Sequence, residues 1–376
     1  MSVVDAVRAA VGAVVDPELR RPLSELDMLR DIAVTDASAT VGIALTIVGC
    51  PAATRIEREV HDAAARVPGI AEVTVAVGVM TPEERHALTE KLRGGRPARV
   101  NPFDADSLTR VIAVTSGKGG VGKSTVTANL AVALAGRGLR VGLLDADVHG
   151  FSIPGLLGLP AGTTPTRLDD MILPAVTHDV KVISIGMFLR EGDASGGAVA
   201  WRGPMLHRTI AQFLTDVHWG DLDILLLDMP PGTGDVAISV GQLLPTADVL
   251  VVTTPQPAAA EVAVRSGLVA RQTGQRVIGV VETMSPFTLP DGTVVDLFGS
   301  GGGRRVAAEL STDTEPVPVL ASVPLSTALR AGGDAGTPVV SSAPDDPAAH
   351  AIETLAAAVA DLGRGLAGRS LPFRTR

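Results

Sequence analysis

Residues 117–125, G-K-G-G-V-G-K-S-T, have the composition of a loop that binds phosphate. Gly117, four further residues, and then Gly122, Lys123 and Ser124 reproduce the P-loop spacing. Its glycines let successive backbone N–H groups converge on phosphate oxygens without interference from a Cβ atom. In this pattern the lysine meets the β- and γ-phosphates, and the serine hydroxyl meets Mg²⁺. The predicted nucleotide site comprises Gly117, Lys118, Gly119, Gly120, Val121, Gly122, Lys123, Ser124 and Thr125.

Two further stretches place carboxylates directly after apolar runs. One run ends in Asp145 and, two residues later, Asp147; another ends in Asp228, before the Pro/Gly-rich segment 229–235. Asp228 is typical of a carboxylate that holds Mg²⁺ through water, because Mg²⁺ gives up its hydration shell reluctantly. Asp145 and Asp147 could serve the metal's water shell and an attacking water, and an Asp-rich turn that caps a helix is the alternative. The predicted Mg²⁺ residues are Ser124, Asp145 and Asp228.

The elements that must position these residues follow from the apolar pattern. From residue 108 onward, short apolar runs alternate with helical segments, which predicts an α/β fold: a mostly parallel sheet covered by helices on both faces. Ligands bind such sheets at the carboxyl ends of the strands. The P-loop lies between a β-branched run and a helical pattern, so the helix dipole would favour an anion there. The predicted strands are 111–115, 140–144, 180–185, 223–227, 249–253, 277–281 and 317–321.

The first 93 residues predict a small α+β domain ahead of this P-loop NTPase. The apolar period alternates between 3.6 and 2 residues along this segment. This pattern predicts helices at 3–15, 52–66 and 82–92 and strands at 31–35, 41–47 and 71–77. Glycine, proline and charge then interrupt every periodicity, as in linkers. We expect domains at 1–93 and 108–366, a linker at 94–107 and a loose tail at 367–376.

The composition restricts the partners of the chain. A formal net charge of −9 and an aromatic content of 2% argue against a polyanion-binding face and against platforms for stacking bases, so we expect no nucleic acid partner. The chain contains neither a signal-peptide pattern nor a run of about eighteen apolar residues, so we expect a cytoplasmic protein without a membrane partner. Cys50 is the only cysteine, which excludes an intrachain disulfide and a Cys₄ metal site within one chain.

The ordered motifs resemble those of one family. They are G-K-G-G-V-G-K-S-T, D-A-D-V-H-G-F-S-I-P, W-R-G-P-M, W-G-D-L-D, D-M-P-P-G-T-G-D-V and F-G-S-G-G-G-R-R. This set is similar to the Mrp/NBP35 branch of the deviant Walker A ATPases, the ApbC-type iron–sulfur cluster carriers. D-P-E-L at 16–19 and L-T-I-V-G-C-P at 45–51 resemble the MIP18-like (DUF59) domain often fused ahead of this ATPase. The resemblance covers nearly the whole chain.

The resemblance implies a Mg-dependent ATPase that works as a homodimer. In such ATPases a lysine at the position of Lys118 reaches the partner's nucleotide, where a cation supplied in trans would stabilise charge on the transferring phosphoryl group. A solvated lysine on an exposed loop is the alternative. The second aspartate of D-A-D positions the attacking water, which assigns that role to Asp147 with Asp145 in support. The implied catalytic residues are therefore Lys118 and Asp147, and the implied cofactors are ATP, Mg²⁺ and a [4Fe–4S] cluster.

The cysteine pair that many relatives use to hold the cluster is missing. Leu289 and Gly292 stand about where the C-x-x-C cysteines would fall, and neither residue ligates iron. A homodimer would offer two thiolates, both Cys50, which makes Cys50 the candidate Fe–S ligand. Its place before a predicted helix favours a thiolate, and a small buried hydrophobe is the alternative.

Thr283 occupies another position at which the chain departs from the family. Relatives have an asparagine there that looks responsible for reading adenine. A threonine makes fewer simultaneous hydrogen bonds than an amide. We therefore expect base selectivity to be looser or to be set by other groups.

Two functions follow from the sequence. The first is an ATP-hydrolysing carrier that, as a homodimer, delivers iron–sulfur clusters to apo iron–sulfur proteins or assembly factors. The alternative is a nucleotide-switched adaptor or positioning ATPase, similar to MinD and ParA, without a cluster. Residues 348–366 are mostly alanine with acids, unlike the basic amphipathic helix of a MinD-like membrane anchor. The acidic charge balance also disfavours ParA-like DNA binding.

Overall fold

The computed structural model describes residues 2–47, 52–94, 100–104, 106–148, 150–188, 203–289 and 291–362. Cys50 and the predicted tail at 367–376 lie outside these residues. No helix in the described part of the chain combines the length and the apolar character that a membrane crossing requires.

The N-terminal part of the chain is an α+β unit. Its elements are α1 (Val3–Gly12), β1 (Leu29–Thr35), β2 (Ser38–Leu45), α2 (Ala53–Ala65), β3 (Glu72–Val79) and α3 (Pro82–Arg93). The sheet has the order β1–β2–β3, in which β1 is antiparallel and β3 parallel to β2. Ser2 and Thr81 begin α1 and α3 with capping boxes, which satisfy the free N–H groups of the first turn. Helix α1 ends three residues earlier than the pattern predicts, because Val15 pairs with Pro22 instead.

The second unit is built on an eight-stranded sheet. The described strands of this unit, eight of which form the sheet, are β4 (Arg110–Ser116), β5 (Val141–Asp145), β6 (Thr166–Leu168), β7 (Met171–Leu173), β8 (Ala175–Thr177), β9 (Val180–Ser184), β10 (Ile224–Asp228), β11 (Asp248–Thr253), β12 (Arg276–Ser285), β13 (Phe287–Thr288), β14 (Val294–Val295) and β15 (Val319–Pro324). The order of this sheet is β15–β12–β11–β4–β10–β5–β9–β8, and among its eight described strands only β8, at one edge, is antiparallel to its neighbour. The remaining strands form two small hairpins, β6–β7 and β13–β14.

Helices cover both faces of the large sheet. They are α4 (Lys123–Gly136), α5 (Ile153–Leu156), α6 (Gly203–Thr215), α7 (Asp235–Leu243), α8 (Pro257–Gln272), α9 (Gly302–Leu310), α10 (Thr327–Ala335), α11 (Val339–Ser342) and α12 (Pro347–Asp361). Successive residues of β4 point to opposite faces. Val111 and Ala113 join the core beneath α6–α9, whereas Ile112 and Val114 join the core beneath α4 and α12. The predicted fold class, a mostly parallel sheet with helices on both faces, is confirmed.

A hairpin of the second unit completes the core of the first. Leu168, Met171 and Leu173, from β6–β7, belong to the apolar cluster formed by α1, β2 and α2. Arg93 pairs with Asp170 beside this contact. The sequence pattern did not predict β6–β8, because strands of three residues are too short to show a period.

A buried lysine lies close to the same junction. Lys181 of β9 is 1% exposed, and its Nζ donates to the backbone carbonyl of His218 at 3.2 Å. Burial lowers the pKa of Lys181 to about 7, whereas the carboxylates of Asp16 and Glu18 act in the opposite direction. Both carboxylates belong to the N-terminal unit, so electrostatics as well as apolar contact connect the two units.

We predict that Leu168→Ala destabilises the N-terminal unit, although residue 168 lies far from that unit in sequence. Leu168 is fully buried, so its truncation removes apolar contact and leaves a cavity that costs about 2–5 kcal/mol of unfolding free energy. Hydrogen exchange of the β2 amides measures this loss. Leu297→Ala is the control, because Leu297 is 65% exposed and its truncation should change stability by less than about 0.5 kcal/mol. Unchanged exchange in Leu168→Ala would show that the hairpin does not support this core.

Candidate nucleotide-binding site

The P-loop connects β4 to α4 at the carboxyl edge of the sheet. Gly120 and Gly122 have φ angles of 76° and 81°, in the left-handed region where a side chain is strained. Helix α4 begins at Lys123, directly after Gly122. The loop therefore presents its backbone at a helix N-terminus, where free N–H groups and the helix dipole favour an anion.

The first glycine of the loop lies against the backbone of α8. A Cβ atom added at Gly117 would lie 2.4 Å from the backbone nitrogen of Ala263, closer than any real contact. Gly119 differs, because its nearest neighbour would be the Pro231 side chain at 3.9 Å. Glycine is thus required at Gly117 by a close backbone approach, whereas Gly119 has room for a methyl group.

Asp228 is the centre of the hydrogen-bond network beneath the loop. Its Oδ2 lies 2.7 Å from Lys123 Nζ and accepts a hydrogen bond from Ser124 Oγ at 2.5 Å. Its Oδ1 lies 2.9 Å from the hydroxyl of Thr127, one helical turn after Lys123. Asp228 is fully buried and Lys123 is 6% exposed. A carboxylate, an ammonium and two hydroxyls therefore meet at one point, where Asp228, Lys123 and Thr127 are buried and Ser124 is partly exposed.

Asp145 lies beside Asp228, because β5 and β10 are adjacent and the two residues are in register. Asp145 Oδ2 accepts a hydrogen bond from Ser184 Oγ at 3.0 Å, and Oδ1 accepts one from the Asp147 backbone N–H at 3.1 Å. Burial raises the pKa of Asp145 to about 7, and the negative charge of Asp228 adds to the rise. Two adjacent buried carboxylates favour a cation or a shared proton at this edge.

Asp147 and Lys118 lie on loops next to this centre. Asp147 is 7% exposed, and its Oδ1 accepts the Gly150 backbone N–H at 3.0 Å. The side chain of Lys118 is exposed, and within the described ranges it forms no ion pair. An exposed ammonium that no described carboxylate neutralises is available to a ligand or to another chain.

The Pro/Gly-rich segment after β10 contacts the start of the P-loop. The Gly232 N–H donates to the Ser116 carbonyl at 2.7 Å, and the Met229 N–H donates to the Val114 carbonyl at 3.0 Å. Pro231, Thr233, Gly234 and Asp235 are exposed. The segment thus borders the start of the P-loop.

The structure brings together most of the residues predicted from the sequence. Lys123, Ser124, Asp145, Asp147 and Asp228 lie around one point, whereas the predicted ligand Cys50 lies outside the described residues. Sequence reasoning missed two hydroxyls at this edge of the sheet, Thr127 and Ser184. It singled out Thr283 for base selectivity but not for its contact with the P-loop, where its hydroxyl lies 2.6 Å from the Val121 carbonyl. Only Thr127 had a local signal, its spacing of one helical turn from Lys123.

The segment that aligns with the missing cysteine pair forms the β13–β14 hairpin. The Leu289 N–H donates to the Thr293 carbonyl at 2.8 Å, and Gly292 has a φ of 87° in the turn. In the described part of the chain, no group of three or more His, Cys, Asp or Glu side chains is arranged to hold a metal. The oxygen donors at the P-loop are different in kind: a hydroxyl and a carboxylate, Ser124 and Asp228, which suit Mg²⁺ together with phosphate oxygens and water.

Comparisons with known protein families agree with this geometry. Residues 107–360 match the family described as NUBPL iron-transfer P-loop NTPase. Residues 4–77 match the family described as iron–sulfur cluster assembly protein. The iron–sulfur cluster carrier protein of Mycobacterium tuberculosis is 55% identical over 369 residues, which cover 97% of this chain and 95% of that protein.

Two solved structures resemble the second unit. A nucleotide-binding protein from Archaeoglobus fulgidus, in complex with ADP, is 38% identical with a TM-score of 0.50, and the match covers 60% of this chain and 86% of that one. The cell division ATPase MinD from Pyrococcus furiosus is 26% identical with a TM-score of 0.51, and the match covers 68% and 99% of the two chains. The P-loop, the buried carboxylates and the family match together show that the chain belongs to the NUBPL-type iron-transfer P-loop NTPases.

Proposed function

We propose that the chain binds and hydrolyses ATP and, as a homodimer, carries iron–sulfur clusters to apoproteins. The observation that carries the ATPase part is the buried contact of Asp228 with Lys123 and Ser124 beneath a glycine loop. The family of the second unit and the match of residues 4–77 support the cargo. In this proposal the carrier works in the cytoplasm, with apo iron–sulfur proteins or assembly factors as partners.

The nucleotide binds to residues 117–125 in this proposal. Backbone N–H groups of the loop hold the phosphates, and Lys123 turns from Asp228 toward the β- and γ-phosphates. Ser124 and Asp228 would hold Mg²⁺, with Asp145 in support, because oxygen donors suit this ion. The ion neutralises charge on the phosphate oxygens when it is bound. The catalytic unit spans 108–366, and the segment 94–107 links it to the unit 1–93.

Hydrolysis requires two further groups. Asp147 lies at the carboxyl end of β5, within the same edge as Asp145, and orients the attacking water. Lys118 is exposed and forms no ion pair with any described residue, so it is available to a second subunit. In a dimer it stabilises the charge that develops on the partner's γ-phosphate.

The cargo is held through Cys50. Two chains contribute two thiolates, so a [4Fe–4S] cargo needs two more ligands, such as histidine, aspartate or an external thiol. An incomplete protein ligand set suits transfer, since external ligands exchange with those of a recipient. The structural likeness to MinD supports a nucleotide switch in general, whereas the family match favours the carrier over the positioning ATPase.

We predict that the two lysines of the P-loop affect different steps: Lys123 affects ATP binding, and Lys118 affects hydrolysis. Lys123→Ala should weaken ATP binding by about 100-fold or more, because it removes the cation that meets the phosphates. Lys118→Ala should leave binding within about twofold but lower kcat by about 100-fold or more, because the trans cation acts on the transition state. Calorimetric binding and phosphate release measure the two effects. Lys118→Arg keeps the cation and serves as control, and wild-type turnover in Lys118→Ala would rule out the trans role.

A second prediction separates two neighbouring glycines. Gly117→Ala should abolish ATP binding and lower stability, because the new methyl group displaces the loop from α8. Gly119→Ala should retain the fold and its thermal midpoint, because its methyl group meets no atom closer than 3.9 Å. Thermal unfolding and ATP binding of the pair provide the measurement. Equal effects in both variants would contradict the close approach at Gly117.

The cargo is tested by anaerobic reconstitution with iron and sulfide. We expect the wild-type homodimer to bind iron and sulfide with the absorbance of a cluster, and Cys50→Ala to lose both because it removes the only thiolate. Iron and sulfide are counted per dimer, and ATP turnover of Cys50→Ala should stay at the wild-type level. If neither protein binds iron, the carrier role is wrong while the ATPase stands.

A further inference from the structure

Thr283 of β12 reaches the P-loop from a strand two places away in the sheet. Its side chain is 4% exposed, and its Oγ1 lies 2.6 Å from the Val121 carbonyl oxygen and 3.0 Å from the Thr253 carbonyl oxygen. Its methyl carbon would lie 3.7 Å from a Cβ atom on Gly122. One side chain thus contacts Val121 and occupies the space beside Gly122.

The backbone around Thr283 is irregular, which accounts for this reach. The pairing of β12 with β15 shifts between Glu282 and Ser285, and Met284 has a φ of 52°, in the left-handed region that a methionine rarely adopts. Glu282, on the other side, accepts the Gly303 N–H at 2.6 Å and so fixes the start of α9. The end of β12 is therefore held in an unusual conformation at the place where it meets the loop.

Contact with the Val121 carbonyl has a geometric consequence for the loop. A trans peptide is planar, with its C=O and N–H pointing in opposite directions. A hydroxyl that holds the Val121 carbonyl toward β12 therefore directs the Gly122 N–H away from β12. Gly122 is the last residue before α4, so this N–H belongs to the group that binds phosphate at the helix N-terminus.

The hydroxyl of Thr283 has no donor capacity left for a nucleotide base. A threonine carries a single O–H proton, and both neighbours of Oγ1 are carbonyl acceptors within the protein. The side chain is also buried. Selection between adenine and guanine therefore falls to other groups.

We propose that Thr283 is a positioning residue for phosphate binding: its hydroxyl fixes the Val121–Gly122 peptide so that the Gly122 N–H faces the nucleotide. The inference rests on the proposed ATPase function and adds a residue to its site. Thr283 acts on the loop and not on the base. Removal of the Thr283 hydroxyl should therefore weaken the binding of every nucleoside triphosphate by the same factor.

The test compares Thr283→Val, Thr283→Ser and Thr283→Ala in the full chain. Valine keeps the shape of the side chain and removes the hydroxyl. We therefore expect the Kd and KM for ATP to rise about five- to thirty-fold, as the loss of a buried hydrogen bond predicts. We expect kcat to change by less than about twofold, because ground state and transition state use the same N–H. Serine restores the hydroxyl and should return KM to within about twofold of wild type.

The ratio of kcat/KM for ATP and GTP distinguishes positioning from base recognition. We expect this ratio to stay within about twofold of wild type in Thr283→Val, and a larger shift would overturn the proposal. Serine and alanine differ only by the hydroxyl, so that pair carries the test if the valine variant fails to fold. Equal affinity in the two, with wild-type binding intact, overturns this inference alone. A wild-type chain that binds no ATP overturns the proposed function and this inference with it.

Discussion

The carboxylate of Asp228 is the group on which the arrangement of the nucleotide unit depends. A fully buried negative charge costs several kcal/mol unless it is paired and hydrogen-bonded. Lys123 supplies the opposite charge, and Ser124 and Thr127 supply hydroxyls, all from the first turns of α4. Helix α4 must therefore begin directly above the end of β10. The sheet order, which places β10 between β4 and β5, brings the loop and Asp145 to the same point.

The same pairing leaves the site electrostatically unbalanced. Lys123 offers one positive charge beside two carboxylates, and the pKa of Asp145 is raised to about 7, first by burial and then by Asp228. A divalent cation would favour the ionised form of both acids and would release Lys123 to meet phosphate. In the proposed function, cation, phosphate and lysine would thus be coupled through Asp228.

Local motifs made the P-loop, Asp145 and Asp228 predictable, because spacing in sequence determines each of them. The α/β fold followed from apolar runs longer than four residues. Thr283 and Ser184 were not predictable as partners, since they reach the site from β12 and β9 through pairings distant in sequence. The β6–β7 hairpin was missed for a related reason. Its strands have three residues each, and its apolar side chains fill a core formed more than about 75 residues earlier in the chain.

The chain carries its nucleotide chemistry and its single thiol on different units, and the connection between them is physically specific. The hairpin that completes the N-terminal core is inserted between β5, which ends in Asp145, and β9, which ends in Ser184. Those two residues hydrogen-bond each other at 3.0 Å. Lys181, on the same strand as Ser184, interacts electrostatically with the carboxylates of Asp16 and Glu18, which act to raise its pKa. The carboxylate cluster beneath the P-loop and the core that supports β2 are therefore connected through one strand, β9.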